Sequence, residues 1–300
     1  MASKQEIEEA AARVAPYVRT TPVIAVRGLT LKLELMQHTG SFKPRGAFNR
    51  ILSHAVPEVG VIAASGGNHG LAVAYAARRL GLRAEVFLPT ITSPVKVERL
   101  RGYGATVTQI GDRYADALEA SLERAEQTGA LAVHAYDQPE VQAGQGTLAR
   151  ELQSQCPDLD TILVAVGGGG LFTGVASWYT GAAKLVAVEP RTIPTLASAI
   201  KAGEPVDVKV SGVAADSLGA RRIARAALDV AVTSGAESVL VEDADIIEAR
   251  RLLWDELRIT AEAGGATALA AVISGVYKPE PGERVGVIVC GGNTDPTDLM

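Results

Sequence analysis

The sequence predicts an α/β fold of parallel-rich twisted sheets with helices on both faces. Three observations predict it: short apolar runs recur along the chain, glycine-rich loops end them, and helical periodicity follows each loop. The clearest units are Val59 to Ala64, Ser65-Gly-Gly-Asn-His-Gly70 and Leu71 to Leu80, and then Thr161 to Val166, Gly167-Gly-Gly-Gly170 and Leu171 to Tyr179. A third run, Val285 to Val289, opens into Cys290-Gly-Gly-Asn293. Ligands collect at the carboxyl ends of strands in open parallel sheets, so these loops are expected to share one crevice.

Taken in order, the other elements follow from local chemistry. Lys43 lies between a Gly40-Ser41 turn and a helix start. Arg83 to Leu88 and Thr106 to Ile110 read as strands. Ser93-Pro94 begins a helix, with Ser at the cap and Pro in the first turn, and Gly102 with Gly104 ends it. Asp112 to Gln127, Pro139 to Gln153, Asp243 to Leu257 and Ala261 to Val276 have helical periodicity. At 300 residues and 47% hydrophobic content the chain exceeds the size at which single cores stop growing, so two domains are expected. Repeats, low-complexity tracts and a long linker are absent, so the boundary should be a pair of chain crossings. The expected division is a large domain from residues 1–56 and 138–300 and a small α/β domain from 57–137.

Composition narrows the function. A net charge of -5, from 29 basic and 34 acidic residues without long runs, leaves no footprint for nucleic acid or an anionic membrane. No apolar run is long enough to cross a bilayer and the first residues are unlike a secretory signal, so a cytoplasmic protein acting on small molecules is expected. Cys156 and Cys290 are too few for a disulfide framework, and the four histidines form no metal-ligand pair.

Several residues can carry chemistry. A lysine held at the positive end of a helix and shielded from water has its charged form disfavoured, which suits Lys43 to imine formation with an aldehyde; a solvated surface lysine is the alternative. Gly167 to Gly170 offer bare backbone N–H groups at a helix start, where phosphate binds; the alternative is a close helix–sheet turn. The loop matches neither the dinucleotide nor the Walker pattern. In Ser65 to Gly70, Asn68 can donate to a phenolate oxygen while Ser65, Gly66, Gly67 and His69 help cradle a substrate carboxylate; an Asx-type cap is the alternative. His69 lacks an obvious orienting carboxylate and reads as structural. Cys290 reads either as a small buried hydrophobe or as a neutral thiol beside a heterocyclic nitrogen.

Together these residues resemble the fold-type II pyridoxal phosphate (PLP) enzymes, the tryptophan synthase β-like fold, and within them the serine/threonine dehydratase group. The resemblance runs nearly end to end: Thr21-Pro22, Lys32-Leu-Glu34, Gly40-Ser-Phe-Lys-Pro-Arg-Gly46, Ser65 to Gly70, Lys96 to Ala105, Gln142-Ala-Gly-Gln-Gly-Thr147, Gly167 to Gly170, Val188-Glu-Pro190, Gly264-Gly-Ala266 and Cys290 to Asn293. It implies that Lys43 is the Schiff-base lysine, that Phe42 flanks the cofactor and that Asn68 bonds the ring hydroxyl. It further implies that Gly167, Gly168, Gly169, Gly170 and Leu171 hold the phosphate, that Cys290 faces the ring nitrogen, and that a substrate carboxylate sits on Ser65 to His69. The implied reaction is loss of the α-proton to Lys43 and of a β-hydroxyl, with the cofactor phosphate as proton donor, giving a 2-oxo acid and ammonia. A homodimer is also implied.

The departures matter. Serine racemases of this group carry a serine two residues before the loop asparagine, and here that position is Gly66, so efficient racemisation is not expected. Glu189 keeps one carboxylate of the racemases' cation site, but Thr195 replaces the aspartate six residues on, leaving Glu189 a weak metal candidate. The chain ends shortly after the Cys290 loop, so no C-terminal regulatory domain is expected. No extra basic residue stands out to meet a second substrate carboxylate. The stretch Ala214 to Arg221 differs from the Ala-Asp-Gly-Leu segment of many relatives. The rival readings within the fold are a serine racemase, a threo-3-hydroxyaspartate or phenylserine dehydratase, and cysteine-synthase-like β-replacement; outside it they are a dinucleotide-dependent oxidoreductase with Glu189 on the ribose and a non-catalytic amino-acid-binding protein.

Overall fold

A computed structural model describes residues 2–299. Its strands are β1 (Val23–Val26), β2 (Leu29–Lys32), β3 (Val61–Ala64), β4 (Ala84–Leu88), β5 (Thr106–Gln109), β6 (Leu131–Ala132), β7 (Thr161–Ala165), β8 (Lys184–Pro190), β9 (Glu237–Val241) and β10 (Val285–Ile288). The α-helices are α1 (Lys4–Val14), α2 (Lys43–Leu52), α3 (Asn68–Arg79), α4 (Pro94–Gly102), α5 (Tyr114–Thr128), α6 (Pro139–Gln155), α7 (Gly170–Tyr179), α8 (Thr195–Ala202), α9 (Ala215–Leu218), α10 (Arg225–Ser234), α11 (Asp243–Leu257) and α12 (Ala263–Ile273).

The strands form a six-stranded sheet in the order β1-β2-β10-β7-β8-β9 and a four-stranded sheet in the order β5-β4-β3-β6. All pairings are parallel except β1 with β2. The central strands β7 and β3 are buried along their whole length, which is why they read as unbroken apolar runs and not as alternating ones. Helix α12 packs on β7, β8, β9 and β10, and its residues 263–271 are all buried. A separate buried cluster lies under the four-stranded sheet, and it takes in Val14, Ala47, Phe48, Ile51 and Val141 from outside residues 57–137. Helix α2 therefore packs its apolar side against α3 and α6 within this cluster while its first residue joins the crevice.

Two local details differ from expectation, one helix start and one cap. Helix α3 begins at Asn68, three residues before the apolar run at Leu71, because the loop closes tightly: a Cβ at Gly70 would lie 1.9 Å from the Ser65 carbonyl oxygen. Ser93 occupies the cap position of α4, but its hydroxyl makes no capping hydrogen bond there. The helix relies on Pro94 for its start and ends at Gly102, with Gly104 in the left-handed region.

Candidate active site

The carboxyl ends of β3, β7 and β10 lead into the three loops Ser65–Gly70, Gly167–Gly170 and Cys290–Asn293, and the start of α2 joins them. The Lys43 segment is fastened to the third loop: Phe42 N donates to Cys290 O at 3.1 Å, Gly292 N to Gly40 O at 2.9 Å and Asn293 Nδ2 to Thr39 O at 2.7 Å. Phe42 is the N-cap residue of α2, so Lys43 occupies its first turn, after the Gly40-Ser41 turn as expected, with Pro44 next to it. The half-buried Lys43 amine donates to Ala135 O at 2.7 Å and lies 5.1 Å from the Phe42 ring centroid. Burial lowers its pKa to about 8, against the opposing pull of Cys290 and Glu262.

Ala135 links this amine to the glycine loop through its neighbour Tyr136. A Cβ on Gly168 would lie 2.4 Å from the Tyr136 ring, and one on Gly170 would lie 2.8 Å from its backbone. Gly167 and Gly169 are equally tight, with Leu218 O at 2.9 Å and the Ala227 Cβ at 2.4 Å, and Gly169 has φ +91°. Only glycine fits such approaches. The loop carbonyls turn inward: Gly167 O accepts from Thr195 Oγ1 at 2.7 Å, Gly168 O from Ala224 N at 3.1 Å and Gly169 O from Thr173 N at 2.8 Å. The N–H side of Gly167 to Leu171 is thus presented at the start of α7, an arrangement that suits a phosphate.

Asn68 does not cap its helix. Its Nδ2 donates to Glu262 Oε1 at 2.6 Å, and its Oδ1 accepts from Asn293 Nδ2 at 2.7 Å. Ser65 Oγ accepts from Gly67 N at 3.2 Å, which shapes the loop beside it. His69 is buried with Nε2 2.8 Å from Val133 O, and burial, then the nearby Lys43, push its pKa down to about 3. Its ring is a neutral structural donor, so only its backbone remains for a substrate. Cys290 is 4% exposed with Sγ 3.5 Å from Gly264 O, and burial raises its thiol to about 12, leaving a neutral group at neutral pH.

Glu189 is committed elsewhere. Its carboxylate accepts from Leu196 N at 2.7 Å and Ala197 N at 2.9 Å and meets Thr195 Oγ1 at 2.9 Å, so it fastens the start of α8 and, through Thr195, the phosphate loop. Among the described residues no group of three or more His, Cys, Asp or Glu side chains is arranged to hold a metal.

Glu262 is the main site residue that sequence reading passed over. It is 7% exposed, and burial raises its pKa to about 7 despite the Asn68 hydrogen bond. Gly291 and Gly265 are what let it in, since a Cβ on Gly291 would lie 1.9 Å from Glu262 Oε1 and one on Gly265 2.0 Å from Gly291 O. A single acid among small residues ahead of an apolar helix was its only sequence signal. Asp216 and Lys96 pair at 2.5 Å along the same cleft.

The donor set matches PLP group by group: an amine of lowered pKa for an aldehyde, a bare glycine loop for a phosphate, an amide for a ring hydroxyl, and a neutral thiol for a pyridine nitrogen. Comparison with known proteins agrees. The family profile described as pyridoxal-phosphate dependent enzyme matches residues 14–291. The chain is 34% identical over 270 residues to L-threonine ammonia-lyase of Thermotoga maritima, covering 88% of this chain and 67% of that one. It is 35% identical over 297 residues to phenylserine dehydratase of Ralstonia pickettii, covering 95% and 91%. The structure of maize serine racemase superposes with a TM-score of 0.93 at 32% identity, covering 99% of this chain and 95% of that one. The chain belongs to the pyridoxal-phosphate dependent enzymes, in their fold-type II serine/threonine dehydratase group.

Proposed function

We propose that this protein is an ammonia-lyase that removes water from a β-hydroxy amino acid such as L-threonine or L-serine and releases a 2-oxo acid and ammonia. The observation that carries the reading is the meeting of the Lys43 amine, the Asn68 amide, the glycine loop and the neutral Cys290 thiol at one set of strand ends. Similarity to an L-threonine ammonia-lyase and a phenylserine dehydratase supports it. In this reading Lys43 and Phe42 hold and flank the cofactor, Asn68 bonds its ring oxygen, Gly167 to Leu171 hold its phosphate, and Cys290 faces its ring nitrogen. PLP, when bound, supplies an electron sink for the pair left at the α carbon. The chain does the rest. Backbone N–H groups of Ser65 to His69 orient the substrate carboxylate, and Lys43 Nζ removes the α-proton from one face. Cys290, as a neutral partner, leaves the ring nitrogen unprotonated. Coupled assays for 2-oxo acid release and for sulfide-dependent cysteine formation test the reading; cysteine formation without 2-oxo acid would favour β-replacement.

Two predictions arise here. The neutral Lys43 amine is the form that captures an aldehyde, and with a pKa of about 8 roughly a tenth of it is neutral at pH 7, against about four in ten thousand for an ordinary lysine. Uptake of PLP by the apoprotein, followed by absorbance, should therefore rise about tenfold from pH 6 to pH 7 and level off above about pH 8. A rate still climbing tenfold per unit at pH 9 would mean an unperturbed lysine.

Gly66 leaves no side-chain donor at its position for returning a proton to the α carbon. A Cβ there would meet Thr92 Cγ2 at 3.2 Å and Leu88 Cδ2 at 3.4 Å, contacts that small shifts can accommodate. Gly66→Ser should add measurable racemisation of L-serine and shift the racemisation-to-elimination ratio by tenfold or more; a ratio unchanged in a folded variant would count against this role of Gly66.

The same reading treats residues 57–137 as a small domain that closes on the larger one and shields the reacting atoms from water. The cross-cleft contacts Asn68–Glu262 and Lys96–Asp216 support it. It also takes the protein to be a cytoplasmic homodimer, which light scattering would test for oligomeric state. Among the described residues no helix is long and apolar enough to cross a membrane.

A further inference from the structure

Lys96 and Arg99 are three residues apart on α4, so both side chains leave the same side of that helix. Both line the cleft formed with Gly66, Asn68, Asp216 and Glu262. Their circumstances differ. Lys96 is matched by Asp216, 2.5 Å away. Arg99 donates through Nη2 to Asn293 Oδ1 at 2.7 Å, a neutral amide, and among the described residues it has no ion pair. Asn293 in turn donates to Asn68 at 2.7 Å. A guanidinium is thus held at the cleft three hydrogen bonds from Glu262, through Asn293 and Asn68, with most of its N–H groups uncommitted.

An amino acid with one carboxylate needs one anion site, and the backbone of Ser65 to His69 supplies it in the reading above. Arg99 is surplus to that need. The cleft acids do not cancel it: Asp216 is spent on Lys96, and Glu262 is partly protonated near neutral pH because burial raises its pKa to about 7.

We propose that Arg99 forms a second anion subsite and that the preferred substrate carries an acidic group on its side chain, a 2-amino-3-hydroxydicarboxylate of the 3-hydroxyaspartate kind. The inference rests on the elimination reading. Loss of the α-proton and the β-hydroxide leaves an enamine dicarboxylate. This takes a proton at carbon 3, adds water at carbon 2 and expels ammonia, so 3-hydroxyaspartate becomes 2-oxobutanedioate and ammonia with no outside oxidant or reductant. Arginine suits the task because its planar fork meets a carboxylate with two parallel hydrogen bonds.

The test measures kcat/KM of the holoenzyme for the threo and erythro 3-hydroxyaspartates and for L-threonine, in the natural protein, Arg99→Ala and Arg99→Lys. The natural protein should prefer one hydroxyaspartate at least tenfold. Arg99→Ala should lower kcat/KM for that substrate by on the order of ten- to a hundredfold, chiefly through KM, so that its ratio to threonine falls at least tenfold. Arg99→Lys should recover part of the loss. A preference for threonine in the natural protein, or equal losses on both substrates in Arg99→Ala, would overturn the subsite; equal losses would mean that Arg99 serves the α-carboxylate. Succinate binding, read from cofactor absorbance, tests the subsite without turnover and should weaken at least tenfold in Arg99→Ala; unchanged binding would also overturn it. If no hydroxy amino acid releases 2-oxo acid while succinate binding still depends on Arg99, the elimination reading fails and the anion subsite stands.

Discussion

Lys43→Ala should lower turnover by at least about 10⁴-fold and abolish the visible absorbance of bound cofactor together with it. Both losses are expected because one atom, Nζ, has two duties: it anchors the cofactor and it takes the α-proton. Its local chemistry fits both. The first turn of α2 and the surrounding burial disfavour the ammonium form, and its hydrogen bond to Ala135 O aims the nitrogen at the segment packed on the phosphate loop. The fold should survive, since among the described residues the amine makes one hydrogen bond, to a backbone carbonyl. Spectra and rates of the purified variant check the prediction; a variant retaining either the absorbance or the turnover would separate the two duties.

Arg45→Met should be the costliest single change to stability, destabilising the protein by about 3–5 kcal/mol. Arg45 is 1% exposed and grips Glu34, itself 0% exposed, through Nε and Nη2, each at 2.8 Å. Glu151 joins at 3.0 Å, and the buried Lys32 reaches Glu151 at 2.5 Å and Thr21 O at 2.8 Å. Removing the guanidinium strands the Glu34 carboxylate in the interior, where an unpaired charge is far more costly than no charge. Urea denaturation should show the loss, and Arg45→Met combined with Glu34→Leu should recover most of it. If the double variant is no better than the single one, shape and not charge would dominate at this position. Arg45 stands two residues after Lys43, so the network also fixes the helix that presents the reactive amine.

Much of the site was legible because its main parts lie on local patterns. A lysine beside Pro at a helix start, four glycines after an apolar strand, and an asparagine in a glycine loop each fit within a few residues, and the structure brings them together at the strand ends. Other partners come from far along the chain. Glu262 and Asn293 meet Asn68 across 194 and 225 residues, and no local spacing announces such contacts. Arg99 was invisible for the same reason: on its own helix it is an ordinary exposed arginine, and only the cleft gives it a role.

Fold features divide the same way. The buried strands β3 and β7 and the long helix α11 stand out by apolar runs or periodicity. β6 has two residues and β1 is a half-covered edge strand, too short and too mixed to read. Helix α8 packs on β9, α9 on α12 and α10 on α7 and α8, partners that no local spacing announces.

One measurement bears most directly on the claim that Lys43 drives one-sided proton removal leading to elimination. Holoenzyme incubated in D₂O with L-serine, L-threonine and the 3-hydroxyaspartates should yield 2-oxo acid and ammonia in equal amounts, while recovered substrate keeps its configuration. Substrate that loses its configuration without matching 2-oxo acid and ammonia would contradict the account.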